Sequence, residues 1–169
     1  ISMVIFFAAE VQEISLVGNV VKLREVRKEA EQAIENLQES SITTFAFLLD
    51  ITKNFSGGFA SNLTPKDERL DNFYFLYENI KRAGVEKELK DRIISCANLF
   101  MEGQKYIIRN YSNADIEHKE SPDELTVAAL KTDKLRITNT LSEDKVRANI
   151  VEAINHYRVL YAIKHKLLS

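Results

Sequence analysis

The side chains best suited to acid–base, nucleophilic or metal chemistry are few in this chain: one cysteine, Cys96, and three histidines. His156 and His165 lie nine residues apart on a predicted helix, about 13 Å along its axis, which is too far to share a metal ion. His118 lies in the acidic segment 112–124, whose spacing matches neither a zinc motif nor a calcium-binding loop. The sequence therefore predicts no metal site and no cofactor.

No nucleophile or phosphate-binding loop stands out either. Cys96 lies in RIISCANLF, beside the apolar face of a predicted helix and without a neighbouring base to activate its thiol. The Gly57-Gly58 pair is not followed by the Lys-Ser/Thr of a P-loop. The net charge of −2 gives no reason to expect a nucleic-acid partner. No catalytic residue is predicted, and the residues favour a protein that is not an enzyme.

One spacing points to a different class of protein. Arg158 and His165 form an R-x6-H pattern on the predicted last helix. This pattern resembles the HEPN-type helical ribonucleases, in which an arginine and a histidine from paired protomers act on RNA. In that family a polar residue usually follows the arginine, whereas Val159 follows it here. The resemblance implies an alternative function, a ribonuclease or toxin that uses Arg158 and His165.

The most informative pattern is a narrow apolar stripe on a long, charged helix. Val26, Ala30, Ala33 and Leu37 step by 4, 3 and 4 residues, which is the spacing of a coiled-coil seam, and the other positions of 24–39 are densely charged. The stripe continues through Ser41, Thr44, Leu48 and Ile51. We expect this helix to carry more of the stripe than its own chain can cover. The sequence thus predicts a homo-oligomer, a non-enzymatic interaction module that self-associates through its first helix.

The residues in front of this helix predict a small β-hairpin. Residues 13–17 alternate between apolar and polar, Gly18-Asn19 tolerates the positive φ of a two-residue turn, and residues 20–23 would form the return strand. A lone hairpin is marginally stable in water, so it needs a surface to pack on. Three of its apolar side chains are predicted to be buried in the self-association interface: Ile14, Leu16 and Val20. The alternative is that the first helix already begins near Asn19.

Residues 1–12 form an apolar stub in front of a predicted single helical domain, 13–169. The stub is shorter than the roughly 20 apolar residues that cross a bilayer, but it is compatible with the exit end of a membrane helix. The final stretch HYRVLYAIKHKLLS mixes basic and aromatic residues, so a peripheral membrane adaptor is a further alternative. A single cysteine excludes an internal disulfide, and the expected location is cytoplasmic, with or without a membrane anchor.

Four more helices are predicted after the first, which spans about 23–53. Their expected starts carry capping residues, such as Thr64-Pro65 and Ser121-Pro122. Residues 42–51 are apolar on nearly every side, which predicts the most buried part of the protein. Residues 131–140 fit a loop, a helical continuation or a short strand that would pair with the N-terminal hairpin. The predicted fold is an all-α bundle of about five helices, with a long first helix and the small N-terminal hairpin.

Two stretches together resemble a known kind of protein: EISLVGNVVKLREVRKEAEQAIENL (13–37) and RLDNFYFLYENIKRAGVEKELKDRI (69–93). The resemblance is to uncharacterised bacterial proteins in which an N-terminal membrane anchor precedes a cytoplasmic helical domain. It covers about a third of the chain and carries no catalytic residues. It implies that the stub is the end of an anchor close to a membrane, and it implies no activity.

Overall fold

The computed structural model describes the backbone of residues 2–54, 68–137 and 141–169 and the side chains of residues 20–53, 69–131, 133–137 and 141–169. Within these residues the chain is helical and contains no strand, so the all-α prediction is confirmed. The α-helices are α1 (Ser2–Asn54), α2 (Glu68–Ala83), α3 (Lys90–Tyr111), α4 (Pro122–Ala129) and α5 (Glu143–Leu168), and a short 3-10 helix (Thr132–Lys134) separates α4 from α5.

The chain divides into two compact units, residues 1–41 and 42–169. Helix α1 contributes to both. The first unit contains α1 and no other described element. An isolated helix is only marginally stable in water, because most helical stability in proteins comes from packing of an apolar face. The described core of the protein lies in the second unit.

In the second unit, α3 packs mainly against α5, and α4 also packs against α5. Both long helices bury one apolar face at helical spacing, as the sequence predicts. On α3 the buried face includes Ile93, Ala97, Phe100, Ile108 and Tyr111. On α5 it includes Val146, Ile150, Ile154, Tyr157 and Leu160. The rings of Phe73 and Phe100 lie 5.5 Å apart between centroids, which joins α2 to this core.

Three of the described buried residues are polar: Gln104, Lys105 and Ser112. Gln104 of α3 is fully buried, and neither its Nε2 nor its Oε1 atom has a hydrogen-bond partner among the described residues. A buried amide without a partner has lost its hydration without compensation, at a cost of about 1–3 kcal/mol. This residue is therefore a local weakness in an otherwise apolar interface.

Local signals define the helix ends. Ser121 precedes α4 and its hydroxyl oxygen accepts a hydrogen bond from the N–H of Asp123 at 3.3 Å, with Pro122 in the first turn. Gly84 follows α2 with φ of +70°, a conformation that glycine adopts without steric cost. The N–H of Gly84 bonds to the carbonyl of Lys81, and that of Val85 to the carbonyl of Ile80. This is a Schellman motif, and the buried Val85 supplies its apolar contact.

Residues 131–137 adopt a loop with one extended contact. After the 3-10 helix, Leu135 forms an isolated antiparallel bridge with Ser112, just after α3. The N–H of Arg136 bonds to the carbonyl of Tyr111 at 3.0 Å, and the N–H of Asn113 to the carbonyl of Lys134 at 2.7 Å. The strand alternative expected the N-terminal hairpin as partner. The partner is instead the end of α3, and residues 138–140 lie outside the described residues.

The structure does not support the predicted N-terminal hairpin. Residues 13–23 belong to α1, which runs without a break through Gly18-Asn19. A helix satisfies its backbone hydrogen bonds within its own segment, whereas a two-stranded hairpin needs a third surface to be stable. A single glycine in a helix costs about 1 kcal/mol relative to alanine. A helix as long as α1 tolerates this cost.

The prediction that residues 42–51 are the most buried part of the chain is only half right. Leu49 is fully buried, and Ile42, Phe45 and Ala46 pack against the core. Three large apolar side chains of the same segment are exposed: Phe47, Leu48 and Ile51. One side of this segment is therefore covered, and the other is not.

Candidate functional site

The apolar stripe predicted on the first helix lies at the surface of α1. Val26 is 61% exposed and Leu37 is 69% exposed, and Ala30 and Ala33 are also exposed. Helical geometry brings these four residues onto one face, because positions three and four apart lie above one another. Val20, which was predicted to join the same interface, is also exposed. Ile14 and Leu16 belong to the backbone of α1, and their side chains lie outside the described residues.

Counting in strict steps of seven extends the stripe and gives a second way to assign its positions after Leu37. In the coiled-coil notation abcdefg, the a positions are Leu23, Ala30, Leu37, Thr44 and Ile51, and the d positions are Val26, Ala33, Ser40 and Phe47. We call these nine residues the α1 seam. All of them are exposed. The predicted continuation through Ser41 and Leu48 is thus displaced to Ser40 and Phe47.

Sequence reasoning missed three apolar residues of this surface: Leu23, Ile34 and Phe47. Leu23 and Phe47 are seam positions that a strict heptad count would have found. Ile34 lies at an e position, immediately beside the seam, and is 63% exposed. An exposed isoleucine next to an a/d seam is typical of a helix face that a partner covers.

The face of α1 opposite the seam is occupied within residues 42–169. Leu49 is buried in the core, and it lies two residues from Ile51, about 200° away around the helix. Asp50 forms an ion pair with Arg92 of α3, and the ammonium of Lys53 donates to the hydroxyl oxygen of Ser95 at 2.9 Å. These contacts hold one side of α1 against α3 and leave the seam exposed on another side.

Charged residues surround the seam in residues 20–41. Arg27 and Glu31, one turn apart, form an ion pair at 2.8 Å. Such exposed pairs stabilise a helix by only about 0.3–0.5 kcal/mol each, but they keep the outer surface hydrated. A narrow apolar seam bordered by charges of both signs is the surface chemistry of a coiled coil. It can bury apolar area against another helix, and it offers no group for catalysis.

The two residues of the ribonuclease alternative lie in different surroundings. The guanidinium of Arg158 is half exposed, 3.6 Å from a carboxylate oxygen of Asp123. The ring of His165 packs on Tyr161, with 4.0 Å between centroids, and borders a cleft of about 60 Å³ between α3 and α5. Arg158 does not line this cleft. One protomer therefore does not gather both groups in its cleft, and the ribonuclease alternative stays a prediction.

The cleft beside His165 is lined by paired charges and aromatic rings. The ammonium of Lys105, which is mostly buried, lies 3.7 Å from the carboxylate of Glu102. The hydroxyl of Tyr157 donates to the carbonyl of Glu120 at 2.8 Å. Burial and the nearby carboxylates of Glu102 and Glu120 raise the pKa of Tyr157 to about 12, so this phenol stays protonated at neutral pH. A cleft this small holds a few water molecules at most.

Cys96 is buried, and its thiol donates weakly to the carbonyl of Leu49 at 3.5 Å. Burial raises its pKa to about 11, against the lesser opposing effects of Lys53 and Arg92. Because the thiolate is the reacting species, we expect iodoacetamide at about pH 8 to alkylate native Cys96 at least about a hundredfold more slowly than an unshifted thiol. Mass spectrometry of timed samples measures this. Denatured chain in guanidinium is the control, and equal native and denatured rates would contradict the expectation.

The described residues offer few other candidate sites. They contain no group of three or more His, Cys, Asp or Glu residues placed to hold a metal ion. Among them, no helix combines the length and the apolar character needed to span a bilayer. The resemblance to membrane-anchored proteins therefore stays a hypothesis.

Comparisons with protein-family models, with curated proteins and with solved structures found no significant match to this chain.

Proposed function

We propose that this chain is a non-enzymatic interaction module that self-associates through the α1 seam. The observation that supports the proposal is the exposure of the whole seam, from Leu23 to Ile51, on a helix whose opposite side is packed or charged. Monomeric proteins rarely expose a continuous apolar stripe of this length without a partner for it. A second copy of the chain offers the same seam, so a symmetric helix pair would cover both.

The seam has enough apolar side chains for a dimer of moderate affinity. Each copy contributes five large ones: Leu23, Val26, Leu37, Phe47 and Ile51. Full burial of such a side chain stabilises by about 1.5–3 kcal/mol. Association costs about 4–15 kcal/mol in lost freedom, and the small residues in the middle of the seam contribute little. We therefore expect a dissociation constant on the order of 1 µM.

Light scattering coupled to size exclusion tests this proposal. The chain has a mass of 19.4 kDa. We expect the measured mass to rise toward twice that value between about 0.1 µM and 100 µM, a range that brackets the expected dissociation constant. A monomer mass at every concentration would overturn the proposal.

Direct assays distinguish the two alternative functions, a ribonuclease and a peripheral membrane adaptor, from the proposed interaction module. A ribonuclease that uses Arg158 and His165 would cleave total RNA and lose that activity in His165→Ala. A peripheral membrane adaptor would float with anionic liposomes. Leu160 and Ile163 at the end of α5 are buried in the protein's own core, which leaves few apolar side chains there for a lipid surface. We expect neither cleavage nor flotation, and we propose a cytoplasmic location, since the one cysteine is a buried thiol.

A further inference from the structure

We propose that the two α1 helices pair antiparallel, in the register that places Ile34 opposite Ile34 of the second copy. This inference rests on the proposed self-association and adds its orientation and register. It follows from the residues that flank the seam at the e and g positions. In a parallel pair each g residue faces the e residue of the next heptad on the other helix, whereas in an antiparallel pair e faces e and g faces g.

The parallel arrangement conflicts with the charges on α1. Lys22 is a g residue and Arg27 is the e residue that it would face, so two pairs of like charges would flank the first layer by symmetry. The next g residue, Glu29, would lie beside the apolar side chain of Ile34. Like charges across a helix interface are destabilising, and a carboxylate against isoleucine loses hydration without gaining a partner.

The antiparallel arrangement pairs apolar residues with apolar residues, and a cation with an anion. With Ile34 facing its own counterpart, exposed Val20 at another e position faces exposed Leu48 of the second copy. On the g side, Lys22 faces the carboxylate of Asp50. That side chain is 49% exposed, so the ion pair it makes with Arg92 leaves an accessible face. Each exposed apolar e residue thus gains an apolar neighbour, and the cation gains an anion.

Asn36 adds a polar contact at the centre of the pair. It is the g residue closest to the two-fold axis, so its amide faces the same amide of the second copy. Amides donate and accept, so the two can hydrogen-bond to each other. At this flanking position the amide pair adds a contact that the other registers lack.

The seam residues also fit this register. An antiparallel pair places each a residue against a d residue. Leu37 then meets Ala33 of the second copy, Thr44 meets Val26, and Ala30 meets Ser40. The two small Ala30–Ser40 layers are separated by the two Leu37–Ala33 layers. A parallel pair would place Ala30 against Ala30 and Ala33 against Ala33, which leaves two adjacent underfilled layers.

Neighbouring antiparallel registers bring like charges together, or place a charge against an apolar side chain. A shift by one heptad in one direction places Glu29 opposite Asp50, so two carboxylates meet. The same shift in the other direction places Ile34 opposite Arg27. A further shift that way brings Arg27 against Arg27 and Glu29 against Glu29. Of these four registers, the one centred between Ile34 and Asn36 is the one that avoids all of these contacts.

Disulfide cross-linking between variants that each carry one added cysteine tests orientation and register. In the proposed pair, Val26 and Thr44 of different copies face each other, while the two Val26 residues are about 27 Å apart at 1.5 Å per residue. We therefore expect a mixture of Val26→Cys and Thr44→Cys to form covalent heterodimers. Neither variant alone should form a covalent homodimer. Mixing Lys28→Cys, an outward f position, with Thr44→Cys is the matched control. The expected pair should cross-link at least about tenfold faster, because facing thiols reach millimolar effective concentration. Buried Cys96 is present in every variant, so the unmodified chain provides the background.

The outcomes separate this inference from the proposed function. Cross-linking of Val26→Cys with itself indicates a parallel pair. A mixture of Val26→Cys and Leu37→Cys that cross-links as fast as the expected pair indicates a shifted register. Either result, or an outward control as fast as the expected pair, overturns the antiparallel register and leaves a dimer seen by light scattering intact. A monomer by light scattering overturns the proposed function, and this inference with it.

Discussion

Replacing Ala30 and Ala33 with glutamate is expected to convert the dimer into a monomer. Both positions lie in the middle of the α1 seam, where an added carboxylate would be buried against the second copy without a cation. An unpaired buried charge costs about 3–5 kcal/mol, so the double variant should weaken association by at least about a thousandfold. Sedimentation or light scattering measures the loss. The helices of residues 42–169 should remain folded, because the variant touches none of their core contacts.

The matched control places the same added charge on the outer face. Gln32 and Gln38 occupy the outward c and b positions of the heptad, and both are exposed. Gln32→Glu with Gln38→Glu adds two carboxylates, as the seam variant does, but we expect the dimer to persist. Equal association by the control and the seam variant would mean that the seam is not the contact surface.

The second large effect is a gain in stability on replacing Gln104 with methionine. Methionine has nearly the same length and shape, and it removes the buried donor and acceptor that have no partner among the described residues. We expect the free energy of unfolding to rise by about 1–3 kcal/mol. For a chain of this size that corresponds to a rise in Tm of about 2–4 °C per kcal/mol. Urea denaturation at one fixed protein concentration measures the change without interference from self-association.

Gln104→Ala is the comparison that separates hydrogen bonding from packing. It removes the same amide but leaves a cavity in the α3 interface, so we expect it to be less stable than the methionine variant by about 2–4 kcal/mol. If the methionine variant is also less stable than the unmodified protein, the Gln104 amide is satisfied in solution. The local weakness inferred at this position would then not exist.

Helices α2 to α5 could be predicted because their signals are local. They carry an apolar stripe at helical spacing, and two of them have clear start or stop residues, Ser121-Pro122 before α4 and Gly84 after α2. The loop contact between Leu135 and Ser112 could not be predicted, because it joins residues far apart in sequence through backbone hydrogen bonds. The buried Gln104 was missed for the same kind of reason: polarity does not show on which face of a helix a residue will pack.

The start of α1 shows why the hairpin prediction failed. Gly18-Asn19 is a strong turn signal only when two strands have a surface to lie on. Helix α1 is the described element of residues 1–41, and a continuous helix satisfies its backbone hydrogen bonds without such a surface. Burial in 42–51 was overestimated for a related reason. Hydrophobicity predicts that Phe47, Leu48 and Ile51 need cover, but it does not say whether the cover comes from the same chain.

The exposed seam itself was predicted from spacing alone, and the structure confirms that Val26, Ala30, Ala33 and Leu37 share one exposed face. What spacing could not give was the exact register beyond Leu37. The weak central residues Ser40, Ser41 and Thr44 allow two ways of counting. The strict heptads are favoured because Phe47 is 64% exposed and Leu48, its neighbour in the other count, is 39% exposed. The orientation of the two helices is inferred from the charges that flank the seam. These charges can be assigned to e and g positions only after the heptad register is known.

Amide hydrogen exchange of residues 20–41, measured by mass spectrometry at low and high protein concentration, tests most directly whether a second copy shelters the seam. Residues 20–40 of α1 are exposed. An exposed helical segment should open readily, so its amides should exchange fast when the protein is dilute. We expect their protection to rise with concentration while the amides of α3 and α5 stay unchanged. Protection of residues 20–41 that is the same at both concentrations would contradict the proposed self-association through α1.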